Sequence, residues 1–179
     1  MTAPNGNEQP DFRDLYRGVV VTNFDPMQQN RILVRVDDVL GNDPCIWAVP
    51  QYSTAGMHVV PAVQTGVWVK FEDGDINRAV WTGFWRGGTI EQPPVSATIP
   101  PGVPQVVLST PAQNFILLTD GTEPTGGIRL QVRGPNGPIG PYIKMSEAGI
   151  ELSCGPGLAT VRLFGTSVII NEGSLVVPK

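Results

Sequence analysis

From Asn114 onward the chain is a succession of very short segments, FILLT, GIRLQVR, YIKMS, GIELS, ATVRLF, SVIIN and SLVVP, each alternating apolar and polar residues. A period of two is the mark of a strand, and residues two apart lie on one face. Ile143/Met145, Ile150/Leu152, Val161/Leu163, Val168/Ile170 and Leu175/Val177 are such pairs, with turn signals at Gly149, Gly155-Pro156-Gly157, Gly165 and Gly173. From Ile143 to Ile150, Val161 to Val168 and Val168 to Leu175 the spacing is seven residues, an internal repeat of strand plus turn. Each unit buries two or three aliphatic side chains at ~1.5–3 kcal/mol apiece. That does not offset ordering the whole unit at ~1–2 kcal/mol per residue. A lone chain with one apolar stripe therefore has no interior. Three chains wound round a shared axis would bury every stripe and pair every strand edge, which otherwise invites aggregation. The expectation for residues 114–179 is an intertwined, triple-stranded β-helix in a homotrimer.

The rest of the chain is also all-β in character: of 179 residues, 21 are Gly and 18 Pro, and long helical patterns are absent. Residues 1–14 read as a polar N-terminal tail. Tyr16 to Phe24, Arg31 to Val36, Cys45 to Pro50, Gly66 to Phe71 and about Arg78 to Trp85 read as five short strands, which suits a five-stranded OB-fold barrel over 15–88. Residues 89–113 carry Pro93, Pro94, Pro100, Pro101, Pro104 and Pro111 and read as an extended linker in which Val106-Val107-Leu108 docks on a neighbouring surface.

The hairpin GVWVKFEDGDINRAVWTGFW, Gly66 to Trp85, has large apolar groups on both faces. Period two assigns Val67, Val69, Phe71, Val80 and Phe84 to the barrel core, and leaves Trp68, Trp81 and Trp85 pointing outward. Two covers present themselves: the chain's own tail or linker, and a subunit or hub interface. Gly74 is placed to take positive φ in the turn.

Candidate chemistry is sparse. A net charge of −4 argues against a general nucleic-acid-binding surface. Cys45 and Cys154 form neither a disulfide framework nor a zinc pattern and read as free buried thiols. His58 is the only histidine, so a histidine-rich metal site within one chain is excluded, and no spacing supports a Cys45–His58 nucleophile pair. Asp73-Gly74-Asp75-Ile76-Asn77 begins like a calcium loop but has Arg78 sixth and Phe84 twelfth, so turn chemistry is the better reading of Glu72, Asp73, Asp75 and Asn77. The triplets Gly134-Pro135-Asn136, Gly137-Pro138-Ile139 and Gly140-Pro141-Tyr142 are too few for a collagen helix and read as a rigid loop. No catalytic residue, cofactor or metal is expected. No secretory signal pattern opens the chain and no apolar run approaches the ~20 residues of a spanning helix, so the expectation is a protein soluble in the cytosol where it is made.

Asp25-Pro26, Arg31-Ile32-Leu33-Val34, Ala55-Gly56, Pro61, Gly66-Val67-Trp68-Val69 and FEDGDINRAVWTGFW together resemble the OB domain of the phage baseplate assembly protein V family, shared with VgrG-type spikes of contractile injection systems. The resemblance covers about residues 15–88. It implies a homotrimeric central spike in a virion or contractile particle, assembled in the bacterial cytoplasm, with the tail hub at the OB end and a needle that pierces the target outer membrane. Asn30 stands where relatives often have glycine, and asparagine also tolerates left-handed geometry. Some short spikes of the family end in a histidine pair that binds iron. Here the end is Ser174-Leu175-Val176-Val177-Pro178-Lys179, so tip iron is not expected, and Leu175, Val176, Val177, Pro178 and Lys179 suit a separate PAAR-type cap. The lysozyme domain of some relatives has no room in this chain.

Two other readings compete. An OB-fold binding module would use the exposed tryptophans for an oligosaccharide or single-stranded nucleic acid. An enzyme acting on peptidoglycan would need Glu72 or Asp75 as its acid.

Overall fold

The computed structural model describes residues 12–41, 44–135 and 137–178. The chain divides into two compact units, Met1–Thr89 and Ile90–Lys179. In the first, β1 (Tyr16–Thr22), β2 (Ile32–Arg35), β3 (Cys45–Pro50), β4 (Gly66–Phe71) and β5 (Ala79–Phe84) close into a barrel in the order β1-β2-β3-β5-β4. All pairs are antiparallel except β3 with β5. Closure removes the free edges that an open five-stranded sheet would expose. Inward positions of the alternating strands, Val20, Ile32, Val34, Ala48, Val67 and Val69, are completely buried. Phe12 and Tyr16 pack against Phe71, with ring centroids 6.0 and 5.7 Å away.

The loops keep their positions through polar side chains. Asp25 accepts hydrogen bonds from the backbone N–H groups of Met27, Gln29 and Arg31 and from the Arg31 guanidinium, 2.8 Å away, while Arg31 stacks on Trp47. This is the work of an Asp-Pro turn initiator, in which a carboxylate substitutes for missing backbone partners. Asn30 adopts φ +58° and donates to the Val59 carbonyl and to the Tyr52 hydroxyl, so the left-handed geometry expected there is used. Gly74 takes φ +74°, with Asp73 also left-handed at +55°. The loop after β2 contains a single helical turn, α1 (Asp37–Leu40).

The face assignment of the hairpin differs from the sequence reading. Val67 pairs with Phe84 and Trp68 with Gly83, but Val69 then pairs with Trp81, leaving Thr82 as an extra residue in a bulge. One inserted residue reverses the parity of every position beyond it. Ala79 and Trp81 therefore join Val69 and Phe71 in the core, where Trp81 is 3% exposed; Val80 is buried as expected, at 6%, whereas Phe84, paired with Val67 ahead of the bulge, is 47% exposed. Trp81 does not point outward.

The second unit is one antiparallel sheet of eight strands: β6 (Gln105–Ser109), β7 (Phe115–Thr119), β8 (Gly127–Gln131), β9 (Tyr142–Ser146), β10 (Gly149–Ser153), β11 (Thr160–Phe164), β12 (Ser167–Ile170) and β13 (Leu175–Pro178). Spatial order follows sequence order, so the sheet is a meander. The β6 strand, Gln105–Ser109, lies inside the stretch whose composition reads as linker, where Val106-Val107-Leu108 pair with β7. Strand edges are therefore paired by sequence neighbours of the same chain, and the intertwined pairing expected between chains is not what joins them. The physical reason is turn length. Met145 faces Ile150, five residues on, and Ile143 faces Leu152, nine on, so the seven-residue spacing is the mean of two hairpin separations rather than a helical pitch. At the β9–β10 turn Gly149 has φ +141°, and a Cβ there would lie 2.0 Å from the Leu163 carbonyl oxygen of β11.

Candidate functional site

The two faces of the meander differ most over its four central strands, β8 to β11, where one is aliphatic and the other charged. Register places Val106, Leu118, Ile128, Met145, Ile150, Leu163, Val168 and Val177 side by side across all eight strands. A parallel row holds Leu108, Ile116, Leu130, Ile143, Leu152, Val161, Ile170 and Leu175. Every member of both rows is aliphatic, and exposure runs from 36% at Met145 to 62% at Leu108 among those most open to solvent. Along the second row the face is hollowed into an open groove of about 910 Å³, which Cys154 also lines. Monomeric soluble proteins rarely leave contiguous apolar surface on this scale uncovered, and a single sheet layer needs a second layer to make a core.

On the other face the cross-strand row runs Val107, Leu117, Arg129, Lys144, Glu151, Arg162, Ile169, charged on the four central strands and aliphatic towards both ends, with Leu117 only 3% exposed. Tyr142 donates to Glu151 at 2.6 Å, Arg162 adds a contact at 3.3 Å, and Arg129 lies over the Tyr142 ring. Burial works against the Glu151 carboxylate, but its Tyr142 and Arg162 partners outweigh it and hold its pKa below the usual glutamate range. Lys144 binds Glu123 at 2.6 Å and lowers the pKa of that carboxyl as well. This central charged part suits water. The aliphatic face suits a second copy.

On the barrel, Trp68 and Trp85 are both half-buried, and what lies against them is Arg17. Its guanidinium carbon is 5.8 Å from the Trp68 ring centroid and 5.1 Å from that of Trp85. Trp85 Nε1 donates to the Gly18 carbonyl at 3.0 Å, and its ring lies so close over Gly66 that a Cβ there would come within 2.7 Å. The structure thus brings Trp68 and Trp85 together and takes Trp81 away into the core, removing it from the expected interface set. Sequence reasoning missed Arg17, although its position opposite Trp68 on an adjacent strand is what puts it between the indoles.

The remaining candidates are placed as follows. Leu175 and Val177 stand on β13 in the aliphatic rows, with Val176 and Pro178 in the same strand; Lys179 lies outside the described residues. Glu72 and Asp73 are both tied to Arg78, and Asp75 accepts from Asn77, so the acidic hairpin tip is built from its own partners. Cys45 and Cys154 are free and exposed, contrary to the buried thiols expected, because each sits at a strand end rather than on an inward position. His58 is exposed in the loop between β3 and β4. No group of three or more His, Cys, Asp and Glu able to hold a metal occurs among the described residues.

Comparison with known families matches both units. Residues 16–85 match the family described as the type VI secretion system/phage-baseplate injector OB domain. Residues 105–176 match the phage baseplate V C-terminal trimerisation domain. No curated protein matches the chain. The two matches take in 142 of the 179 residues, and the second begins at the first residue of β6. A trimerisation domain supports a homotrimer, an assembly in which the two aliphatic rows could be covered. The chain belongs to the phage baseplate V family, with an injector OB domain followed by the family's trimerisation domain.

Proposed function

We propose that three copies form the central spike of a contractile tail baseplate or a related injection particle, with a structural rather than enzymatic role. The observation that carries the reading is the pair of unbroken aliphatic rows crossing all eight strands. Three such meanders placed face to face would bury both rows of each copy and leave the Arg129–Arg162 faces in water. The right-handed twist inherent in sheets would wind the three about their common axis, giving a threefold β-helical needle whose hydrogen bonds stay within each chain. A shaft built this way resists bending because its interior is close-packed, as a piercing device requires. The Trp68–Arg17–Trp85 face of the barrel is the proposed seat of the tail hub, and a PAAR-type cap is proposed at Leu175–Lys179, with the target outer membrane contacted on contraction.

The test is mass in solution. Light scattering on the purified full-length chain is expected to give a trimer, and mixing that trimer with the hub protein of its particle a stable complex. A monodisperse monomer at micromolar concentration would remove the spike reading, and would favour a barrel acting alone as a binding module.

A further inference from the structure

Three cations of the barrel unit stand apart from the rest. Arg31, Arg35 and Arg78 are each held by a carboxylate at 2.6–2.9 Å. Arg17, Lys70 and Arg86 have no carboxylate partner within salt-bridge distance among the described residues. Of these, Arg17 lies against both half-buried indoles, and the other two are close to them along the chain. Arg17 lies opposite Trp68, Lys70 is two residues along the same strand and so on the same face, and Arg86 follows Trp85.

We infer that this face takes a carboxylate-bearing loop of the protein that seats on the barrel, with Arg17 as the receiving group. The inference rests on the hub reading above and adds the chemistry of the contact. Cation–π contact with two rings restrains a guanidinium, and its N–H groups match a carboxylate in bidentate fashion. Trp85 is itself fixed by its bond to Gly18 and its seat on Gly66, so the receiving group is ordered before the partner arrives. Trp and Arg are the residue types that dominate interface energetics when packed centrally. A nucleic acid backbone is the poorer occupant. It needs an extended basic surface, whereas the same barrel exposes Asp37, Asp38, Glu72 and Asp73.

The experiment uses the full-length trimer and the purified hub protein of the same particle. Affinity is measured by sedimentation at low and at raised salt for the wild type, Arg17→Glu, Arg17→Lys and Trp68→Ala, each first shown to be trimeric. Arg17→Glu is expected to weaken hub binding on the order of 30-fold or more, Arg17→Lys by less, and salt to weaken the wild type more than Arg17→Glu. If Trp68→Ala weakens binding while Arg17→Glu binds as the wild type does, the hub still seats here and the carboxylate contact is wrong. If both variants bind as the wild type does, the hub seats elsewhere and this inference is wrong; if the wild type does not bind, the hub reading fails and this inference with it. An oligothymidylate that binds the wild type as tightly as the hub, and depends on Arg17, would also overturn it.

Discussion

Leu152 offers the sharpest test of threefold assembly, because its worth can be worked from the single chain. It is 43% exposed there and lies opposite Ile143, which is 40% exposed, in the middle of the aliphatic row. Full burial of such a side chain is worth ~1.5–3 kcal/mol, so the two-fifths still open contributes ~0.6–1.2 kcal/mol per copy on association. Three copies give ~2–4 kcal/mol, or a ~30- to ~700-fold change in the association constant at 1.4 kcal/mol per decade. That constant carries the square of concentration for three chains. Leu152→Ala should therefore raise the concentration for half-assembly by the square root of this factor, ~5- to ~25-fold. Leu152→Asp is expected to abolish the trimer, since three carboxylates would converge in a dry interior at several kcal/mol each. Arg162→Ala, on the opposite face, removes only a half-exposed ion pair worth ~0–1 kcal/mol and should leave the midpoint where it was. Sedimentation equilibrium across a concentration series reads all three. If Leu152→Asp assembles at the wild-type midpoint, the aliphatic face is not the interface.

Two further outcomes are expected. The Arg31 guanidinium and three backbone N–H groups hold the Asp25 pKa well below the ordinary aspartate range, against the opposing effect of burial. A depressed folded-state pKa gives stability that is complete above the unfolded value of ~3.9 and is lost as pH falls through the folded one. Wild-type barrel melting, followed by tryptophan fluorescence, should thus decline on acidification below that value, and Asp25→Asn should melt lower at neutral pH with a flatter acid limb; parallel acid limbs would count against the turn as the source. In the meander, Gly149→Ala should cost at least the ~1–3 kcal/mol of a strained backbone, with the Leu163 carbonyl in the way. Gly165→Ala, at φ +55° with nothing within 4 Å of the added carbon, should cost less, and equal melting temperatures for the two would refute the close-approach account.

The five barrel strands were legible from Tyr16 to Phe84 because each is a short alternating run bounded by turn chemistry, and Asp25-Pro26, Asn30 and Gly74 do in the structure what their residue types suggest. The fate of Trp81 was not legible. Counting by twos through RAVWTGFW cannot detect a bulge, since the extra residue is defined by pairing with Trp68 and Val69 on another strand. The same limit hid the position of Arg17, whose neighbours Trp68 and Trp85 are distant in sequence. The seven-residue repeat shows the reverse case: the period was visible, but helix winding and hairpin meander share it.

What the sequence alone determined is which side chains share a face, because a strand's period is a property of one chain: the aliphatic pairs from Ile143 to Val177 would be one-sided in any pairing scheme. What only the tertiary structure decided is the partner of each strand edge and the direction of each tryptophan. Both depend on register between segments, which is set by turn length and by a single inserted residue at Thr82. Local composition carries hydrophobic pattern; it does not carry the offset at which two patterns meet.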